Sequence, residues 1–290
     1  MGHTTSIANL LQDALRQLTT TETDEPRLEA EILLGHALQQ NRTFLRTWPE
    51  REPNNEQLEK FQRLISRRCA GEPIAYIIGE RDFWDMTLRV SPDTLIPRPD
   101  TETLVEQALE RIPPDAHWQI ADLGTGTGAI ALAIARERPN CQLIATDISS
   151  AALAIARENA ERNNVLNIRF AEGTWLAPLA SELFEMIVSN PPYVHPDDPH
   201  LQQGDLRFEP LSALHSTPDG LTDIRLICDT ARLHLKPNGW LLLEHGYDQG
   251  PAVKVCLGEL NYQQIQTITD LGGNPRVSLA QWQIDALTST

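Results

Sequence analysis

Gln119-Ile120-Ala121-Asp122-Leu123-Gly124-Thr125-Gly126-Thr127-Gly128-Ala129 decides the fold of this chain. Gln119 to Leu123 reads as a short strand, and a helix is expected from about Gly128 onward. Three alternate glycines occupy the junction. A ligand can approach such a turn without meeting Cβ atoms, and the N–H groups that open the helix are available to it. Asp147 closes the next strand-like run, Gln142 to Asp147, 23 residues after Gly124. That is the place for a carboxylate that accepts both hydrogen bonds of a ribose diol. Together the two elements form an adenosine-binding signature. Gly124, Gly126 and Ala129 also satisfy the G-x-G-x-x-G/A dinucleotide fingerprint, so on this stretch alone a nicotinamide-dependent dehydrogenase stays open beside other adenosine-cofactor enzymes.

Strands and helices alternate on either side of this turn. A helix is expected from Ser149 to about Asn163, then strands at Asn167 to Phe170 and Phe184 to Ser189. Ile224, Ile227, Ala231 and Leu235 recur at helical spacing, and Pro237-Asn238-Gly239 closes that helix before the strand Trp240 to Glu244. Two further strand-like runs lie near Gln264 to Ile268 and Arg276 to Trp282. The pattern predicts an α/β fold with a doubly wound, mostly parallel Rossmann-like sheet over residues 101 to 290.

The N-terminal third reads differently. Ile7, Leu10, Leu11, Ala14, Leu15 and Leu18 follow a helical period, as do Leu28, Ile32, Leu33 and Leu34, and then Leu58, Phe61, Leu64 and Ile65. Breaks at Thr19 to Pro26 and Trp48 to Asn55 separate three helices, giving a small helical domain over residues 1 to 70. Residues 71 to 100 are punctuated by Gly71, Pro73, Gly79, Pro92, Pro97 and Pro99. Their apolar and aromatic content exceeds that of a flexible linker, so an ordered connector with a β-hairpin is expected.

Composition narrows the function classes. With 290 residues, 41% of them hydrophobic, the chain can build a sizeable core. A formal charge of −16 argues against a general nucleic-acid or anionic-membrane binder. The acidity belongs mainly to the part after residue 90, with 13 basic and 26 acidic residues against 11 and 14 before it. No apolar run is long enough to span a membrane and no signal peptide is recognisable, so a cytoplasmic location is expected; a monomer is expected too, although nothing in the sequence shows oligomeric state. Cys69, Cys141, Cys228 and Cys256 are too scattered for a zinc or disulfide framework and read as small buried thiols. His195, His200, His215, His234 and His245 lack metal-ligand spacing, and no metal is expected.

Asn190-Pro191-Pro192-Tyr193 settles the choice left open by the glycine turn. It follows the apolar run Phe184, Met186, Ile187 and Val188, at the strand edge where open α/β sheets bind ligands. Asp-Leu-Gly-Thr-Gly-Thr-Gly128 with this tetrad downstream resembles the class I S-adenosylmethionine-dependent methyltransferases that modify amino groups on planar systems. Thr94-Leu-Ile-Pro-Arg-Pro-Asp-Thr-Glu102, the helical domain before it, Arg207-Phe-Glu-Pro210 and Glu244-His-Gly246 extend the likeness over nearly the whole chain. They resemble the release-factor glutamine N5-methyltransferases, the HemK/PrmC family.

The resemblance implies S-adenosylmethionine as methyl donor and S-adenosylhomocysteine as product. It implies, as substrate, the glutamine of the Gly-Gly-Gln loop of bacterial class 1 peptide chain release factors. The implied cofactor set is Gly124, Thr125, Gly126, Thr127, Gly128, Asp147 and Asn190, with Trp175 beside the adenine. Asn190, Pro191, Pro192 and Tyr193 would hold the substrate. An amide nitrogen is a poor nucleophile, so the task is orientation more than acid–base work. The Asn190 side-chain oxygen and the Pro191 carbonyl would each accept one N–H, aiming the lone pair at the methyl, while the prolines stiffen the loop and Tyr193 packs on the flat amide. Arg98 and Arg207 are candidates for the rim of a peptide channel or for salt bridges between the domains. The alternatives are a glutamine methyltransferase acting on a ribosomal protein, a nucleic-acid amino-group methyltransferase, and a regulator that binds S-adenosylmethionine without catalysis.

Overall fold

Helical periodicity in the first seventy residues is realised as buried stripes. α1 (Ile7–Leu18) buries Ile7, Leu10, Ala14 and Leu18, and the Ser6 hydroxyl caps it by accepting from Asn9 N. α2 (Pro26–Leu38) starts on proline and ends at Gln39 in the left-handed conformation. The segment between the two breaks, expected to be one helix, holds two, and the second is α3 (Arg42–Thr47). α4 (Asn55–Cys69) opens with a capping box between Asn54 and Gln57. A single core joins them, with Leu33, Leu34, Leu45, Phe61 and Ile77 almost fully buried.

The computed structural model describes residues 5–21, 23, 25–195, 197–202, 204–216 and 220–283. By packing, the chain forms two compact units, Met1–Glu80 with Pro199–Phe208, and Arg81–Asp198 with Glu209–Thr290. These boundaries lie elsewhere than the divisions expected at 70 and 100. Residues after 70 form α5 (Ile74–Ile78), set between Pro73 and a left-handed Gly79, and its Ile77 completes the helical core. The buried Arg68 guanidinium holds Glu29 of α2 at 2.9 Å and Asp205 at 3.2 Å, which ties Pro199–Phe208 to the helical unit.

The expected hairpin is present. β1 (Glu80–Phe83) and β2 (Met86–Arg89) form a two-stranded sheet across the turn Trp84 and Asp85. After α6 (Glu102–Arg111) the alternation begins, with β3 (Gln119–Leu123), α7 (Ala129–Glu137), β4 (Gln142–Asp147), α8 (Ser150–Arg162), β5 (Ile168–Glu172) and β6 (Phe184–Ser189). α9 (Leu211–Leu214), α10 (Thr222–Ala231), β7 (Leu235–Glu244), α11 (Gly250–Glu259), β8 (Gln263–Thr269) and β9 (Pro275–Trp282) complete it. The helix expected to reach Leu235 stops at Ala231. Leu235 instead pairs with Phe184 as the first residue of β7, followed by a register shift, so its helical spacing was coincidental.

The large sheet has the order β5-β4-β3-β6-β7-β9-β8, parallel from β5 through β7 and antiparallel at β9 and β8. Strand order reverses between β3 and β6, and the carboxyl ends of that pair mark the binding crevice of such sheets. Alternate residues feed two cores: Ile120, Val188 and Leu242 on one face, Ala121, Ile187, Leu241 and Leu243 on the other. Of the cysteines, Cys141 and Cys228 are buried, whereas Cys69 is exposed and not the buried thiol expected.

Candidate active site

The glycine turn sits at the carboxyl end of β3. Gly124, Gly126 and Gly128 have φ of 71°, 55° and 85°, a region that side-chain-bearing residues rarely adopt. Gly124 N and Thr125 N both donate to Thr146 O at 2.9 Å, fastening the turn to the end of β4. Asp147 then accepts from Gly126 N through Oδ2 and from Ser149 N through Oδ1, each at 2.9 Å. Each carboxylate oxygen keeps a further lone pair for a ligand donor. A Cβ on Gly126 would meet nothing within 4 Å, whereas one on Gly124 would come within 3.0 Å of the Trp175 ring. A Cβ on Gly128, just before α7, would come within 3.1 Å of Leu132 and 3.3 Å of Ala156, and Gly128 is not among the residues lining the cleft described below.

Asp122 lies fully buried beneath the turn. Its Oδ2 accepts from the Thr125 hydroxyl at 2.6 Å, while Oδ1 has no hydrogen-bond partner. Burial pushes its pKa up to about 7, against the pull of that hydroxyl.

The tetrad follows β6. Asn190 Nδ2 donates to Thr101 Oγ1 at 3.3 Å, leaving its Oδ1 as the free acceptor of the carboxamide. Tyr193 is held on three sides: its N donates to Leu214 O at 3.2 Å, its carbonyl accepts from Gln249 Nε2 at 2.9 Å, and its hydroxyl donates to Glu244 Oε1 at 3.3 Å. Burial raises the Tyr193 pKa well above its ordinary value, and the phenol stays neutral. Glu244 is itself 1% exposed at the end of β7, the strand beside β6. Burial pushes its pKa up to about 7, opposed by the Thr101 hydroxyl, by Arg276 and by the Tyr193 hydroxyl.

A cleft of about 520 Å³ brings these elements together. Thr125, Gly126, Thr127, Asp147, Trp175 and Asn190 line it, along with Gly124, Pro192 and Arg98. Trp175 also packs on the core and accepts from the Thr146 hydroxyl through its carbonyl at 2.9 Å. Pro191 and Tyr193 are not in the wall; Pro191 is buried, and Tyr193 is anchored behind it on Glu244. Arg98 reaches the cleft and is paired with the buried carboxylate of Glu209, a salt bridge within one unit. Arg207 belongs to the helical unit, where its guanidinium donates to Gly204 O and lies 5.3 Å from the centre of the Phe208 ring. His245 is buried between Gly246 O and Ser278 Oγ. The His200 side chain is not among those described. No three metal-binding side chains gather among the described residues.

Sequence comparison supplies the family. Residues 9–79 match the PrmC N-terminal domain and residues 100–204 the methyltransferase small domain. The release factor glutamine methyltransferase of Aliivibrio fischeri is 47% identical over 97% of this chain and 99% of its own length. That of Pseudomonas aeruginosa is 50% identical over 96% and 99%. The chain belongs to the release factor glutamine methyltransferase family. A methyltransferase structure from Pyrococcus furiosus, 20% identical with a TM-score of 0.54 over 76% of this chain and 98% of its own, shares the fold.

Within this family member, three positions stand out that motif reading had quoted without assigning. Asp122 carries the unpaired acceptor, Thr101 receives Asn190, and Glu244 holds Tyr193. A usable signal existed for Glu244, since a lone carboxylate ends the apolar run Trp240 to Leu243 beside the tetrad-bearing strand. Asn159 gave no such signal. Its fully buried amide joins Arg89 of the hairpin at 2.6 and 3.0 Å to Thr127 O of the glycine turn at 2.9 Å.

Proposed function

We propose that this chain transfers a methyl group from S-adenosylmethionine to the side-chain N5 of the glutamine in the Gly-Gly-Gln loop of bacterial class 1 peptide chain release factors, acting as a cytoplasmic monomer. Family membership supports the substrate, and one observation carries the chemistry: Asn190 lines the same cleft as the glycine turn and Asp147, with its Nδ2 already committed to Thr101. The residues fit the donor. Asp147 has acceptor capacity for a ribose diol, and Gly126 leaves room at the backbone. When bound, that donor supplies a methyl already activated on a sulfonium.

The protein's share of the work is alignment. Asn190 Oδ1 and the Pro191 carbonyl each accept one N–H of the substrate amide, which holds the nitrogen with its lone pair toward the methyl. Positive charge builds on that nitrogen as the bond forms, and both acceptors bind it more tightly then than in the ground state. Pro191 and Pro192 keep the loop from relaxing, and Tyr193 braces it from behind through Glu244. The N-methylated amide cation is acidic enough to release its proton to water.

The test is incubation with labelled S-adenosylmethionine and, separately, an intact class 1 release factor, ribosomal proteins and nucleic acid. Label on the Gly-Gly-Gln glutamine alone is expected. Label in either other substrate, with the release factor unmodified, overturns the assignment.

A further inference from the structure

Three glycines make the turn after β3 approachable, and they also leave it few side chains to hold its own shape. That shape depends on hydrogen bonds made from outside. One set comes from the end of β4, where Thr146 O and the Asp147 carboxylate take the N–H groups of Gly124, Thr125 and Gly126. Another comes from α8, through Asn159. Its Nδ2 donates to Thr127 O at 2.9 Å, and Thr127 lines the cleft.

Asn159 is 0% exposed and has a second attachment. Its Oδ1 accepts from Arg89 N at 2.6 Å and its Nδ2 donates to Arg89 O at 3.0 Å, so the carboxamide pairs with the last residue of β2 as a neighbouring strand would. This pairing leaves it one orientation. Only the oxygen can take the Arg89 N–H, and the two hydrogens of Nδ2 then fall to the two carbonyls. The hairpin that carries Arg89 is itself firmly seated, with Phe83, Met86 and Leu88 buried in the same core as α7. Just beyond Arg89 the chain enters the cleft wall at Pro92, Asp93, Thr94 and Leu95.

We propose that Asn159 is a positioning residue for the methyl-donor site: one buried carboxamide, behind the cleft wall, that fastens the glycine turn to the hairpin strand from which the Pro92–Leu95 stretch of that wall departs. This rests on the reading of the cleft as an S-adenosylmethionine site. What Asn159 contributes is preorganisation, because a turn already held in its binding shape loses less freedom when the ligand arrives. The coupling is reciprocal. A ligand that stills the turn also strengthens its hold on Asn159, and through Asn159 on the Arg89 amide, which does not line the cleft.

The experiment measures S-adenosylmethionine affinity by calorimetry, kcat and cofactor KM with an intact class 1 release factor, and thermal unfolding. It also follows hydrogen exchange at the Arg89 amide with and without S-adenosylmethionine, with Tyr262 N, held by Leu257 O in the other core, as the reference amide. Wild type, Asn159→Ala and Asn159→Leu are compared with Tyr262→Phe, which removes a buried 2.9 Å hydrogen bond to Cys228 O. Asn159→Ala is expected to raise the cofactor Kd and KM about tenfold, the size of one hydrogen bond's net contribution, with kcat at saturating cofactor nearly unchanged. Asn159→Leu, which keeps the volume and loses the polar atoms, should match it, and Tyr262→Phe should leave Kd unchanged. In the wild type, S-adenosylmethionine should slow exchange at Arg89 severalfold more than at Tyr262. Unchanged affinity in both Asn159 variants, an equal loss in Tyr262→Phe, or slowing at Arg89 no greater than at Tyr262 each overturns the proposal. Should the Asn159 variants fail to fold, the wild-type exchange comparison carries the test. A wild type that does not bind S-adenosylmethionine refutes the underlying reading instead, and that outcome is visible before any variant is made.

Discussion

Replacing Asp147 by alanine separates ligand binding from local structure, because the carboxylate serves both. In the proposed complex it accepts two ribose hydroxyls, and hydrogen bonds to a charged group contribute about 1.5–3 kcal/mol each. Allowing for non-additivity, the loss corresponds to weakening on the order of 10²–10⁴ in Kd. The same two oxygens hold Gly126 N and Ser149 N at 2.9 Å in the free protein. These N–H groups are only part-buried, so water replaces much of what they lose, and about 0.5–1.5 kcal/mol of stability per bond is an upper bound. Asp147→Asn sharpens the test: a carboxamide has one accepting end, and no orientation satisfies both N–H groups. The asparagine variant should therefore be no more stable than the alanine variant, despite its closer shape. Calorimetric titration with S-adenosylmethionine and thermal unfolding of all three proteins give the two readouts. Unchanged affinity in Asp147→Ala, or tight binding of NAD by the wild type, refutes the assignment of this carboxylate to the methyl donor's ribose.

Asn190→Ala is expected to lose on the order of 10²–10³ in turnover with much smaller change in cofactor affinity, as for deletion of one preorganised acceptor, and Asn190→Asp should also turn over poorly; steady-state kinetics with a release factor check both. Full-length enzyme should methylate a short Gly-Gly-Gln peptide with kcat/KM far below that for the intact factor, since a short loop offers few contacts to mark its owner; comparable values would deny the helical unit a role in selection. Asp122→Asn should change stability in a pH-dependent way. Its folded pKa of about 7 lies above the ordinary carboxyl value of 3.8, so the wild-type contribution is full below pH 4 and lost as pH rises through 7. The unfolding free energy of the asparagine variant should thus gain on wild type across that window by on the order of a few kcal/mol, measured by denaturant titration, and a constant gap would show that Asp122 is not the buried acid described.

The parts of this protein legible in its sequence are those written in short-range patterns. A strand, three glycines and a helix start are adjacent in the chain, and so is the tetrad behind its apolar run, which is why the crevice between β3 and β6 could be located in advance. Boundaries set by pairing were not legible: Leu235 has helical spacing but is claimed by Phe184 across the sheet, and α5 is an apolar helix of five residues, too short to show a period. The division of labour inside the motifs was equally hidden. Gly128 looks like Gly126 in sequence, yet a side chain there would crowd Leu132 and Ala156, whereas one at Gly126 would meet nothing.

The orientation of the site depends on still longer range. Asn190 is 89 residues from Thr101, and Tyr193 is 51 from Glu244. Neither pairing follows from any local rule. The register that sets Ser189 beside Leu243 brings the end of β6 next to the end of β7, and the turn before α6 delivers Thr101 to the same place. The tetrad thus carries the acceptor atom, but the sheet register and the turn before α6 bring to it the hydroxyl that takes Asn190 Nδ2 and the carboxylate that takes the Tyr193 hydroxyl. An Asn-Pro-Pro-Tyr sequence at the end of a similar strand, without Thr101 and Glu244 behind it, has the same groups without the partners that hold Asn190 Nδ2 and the Tyr193 hydroxyl.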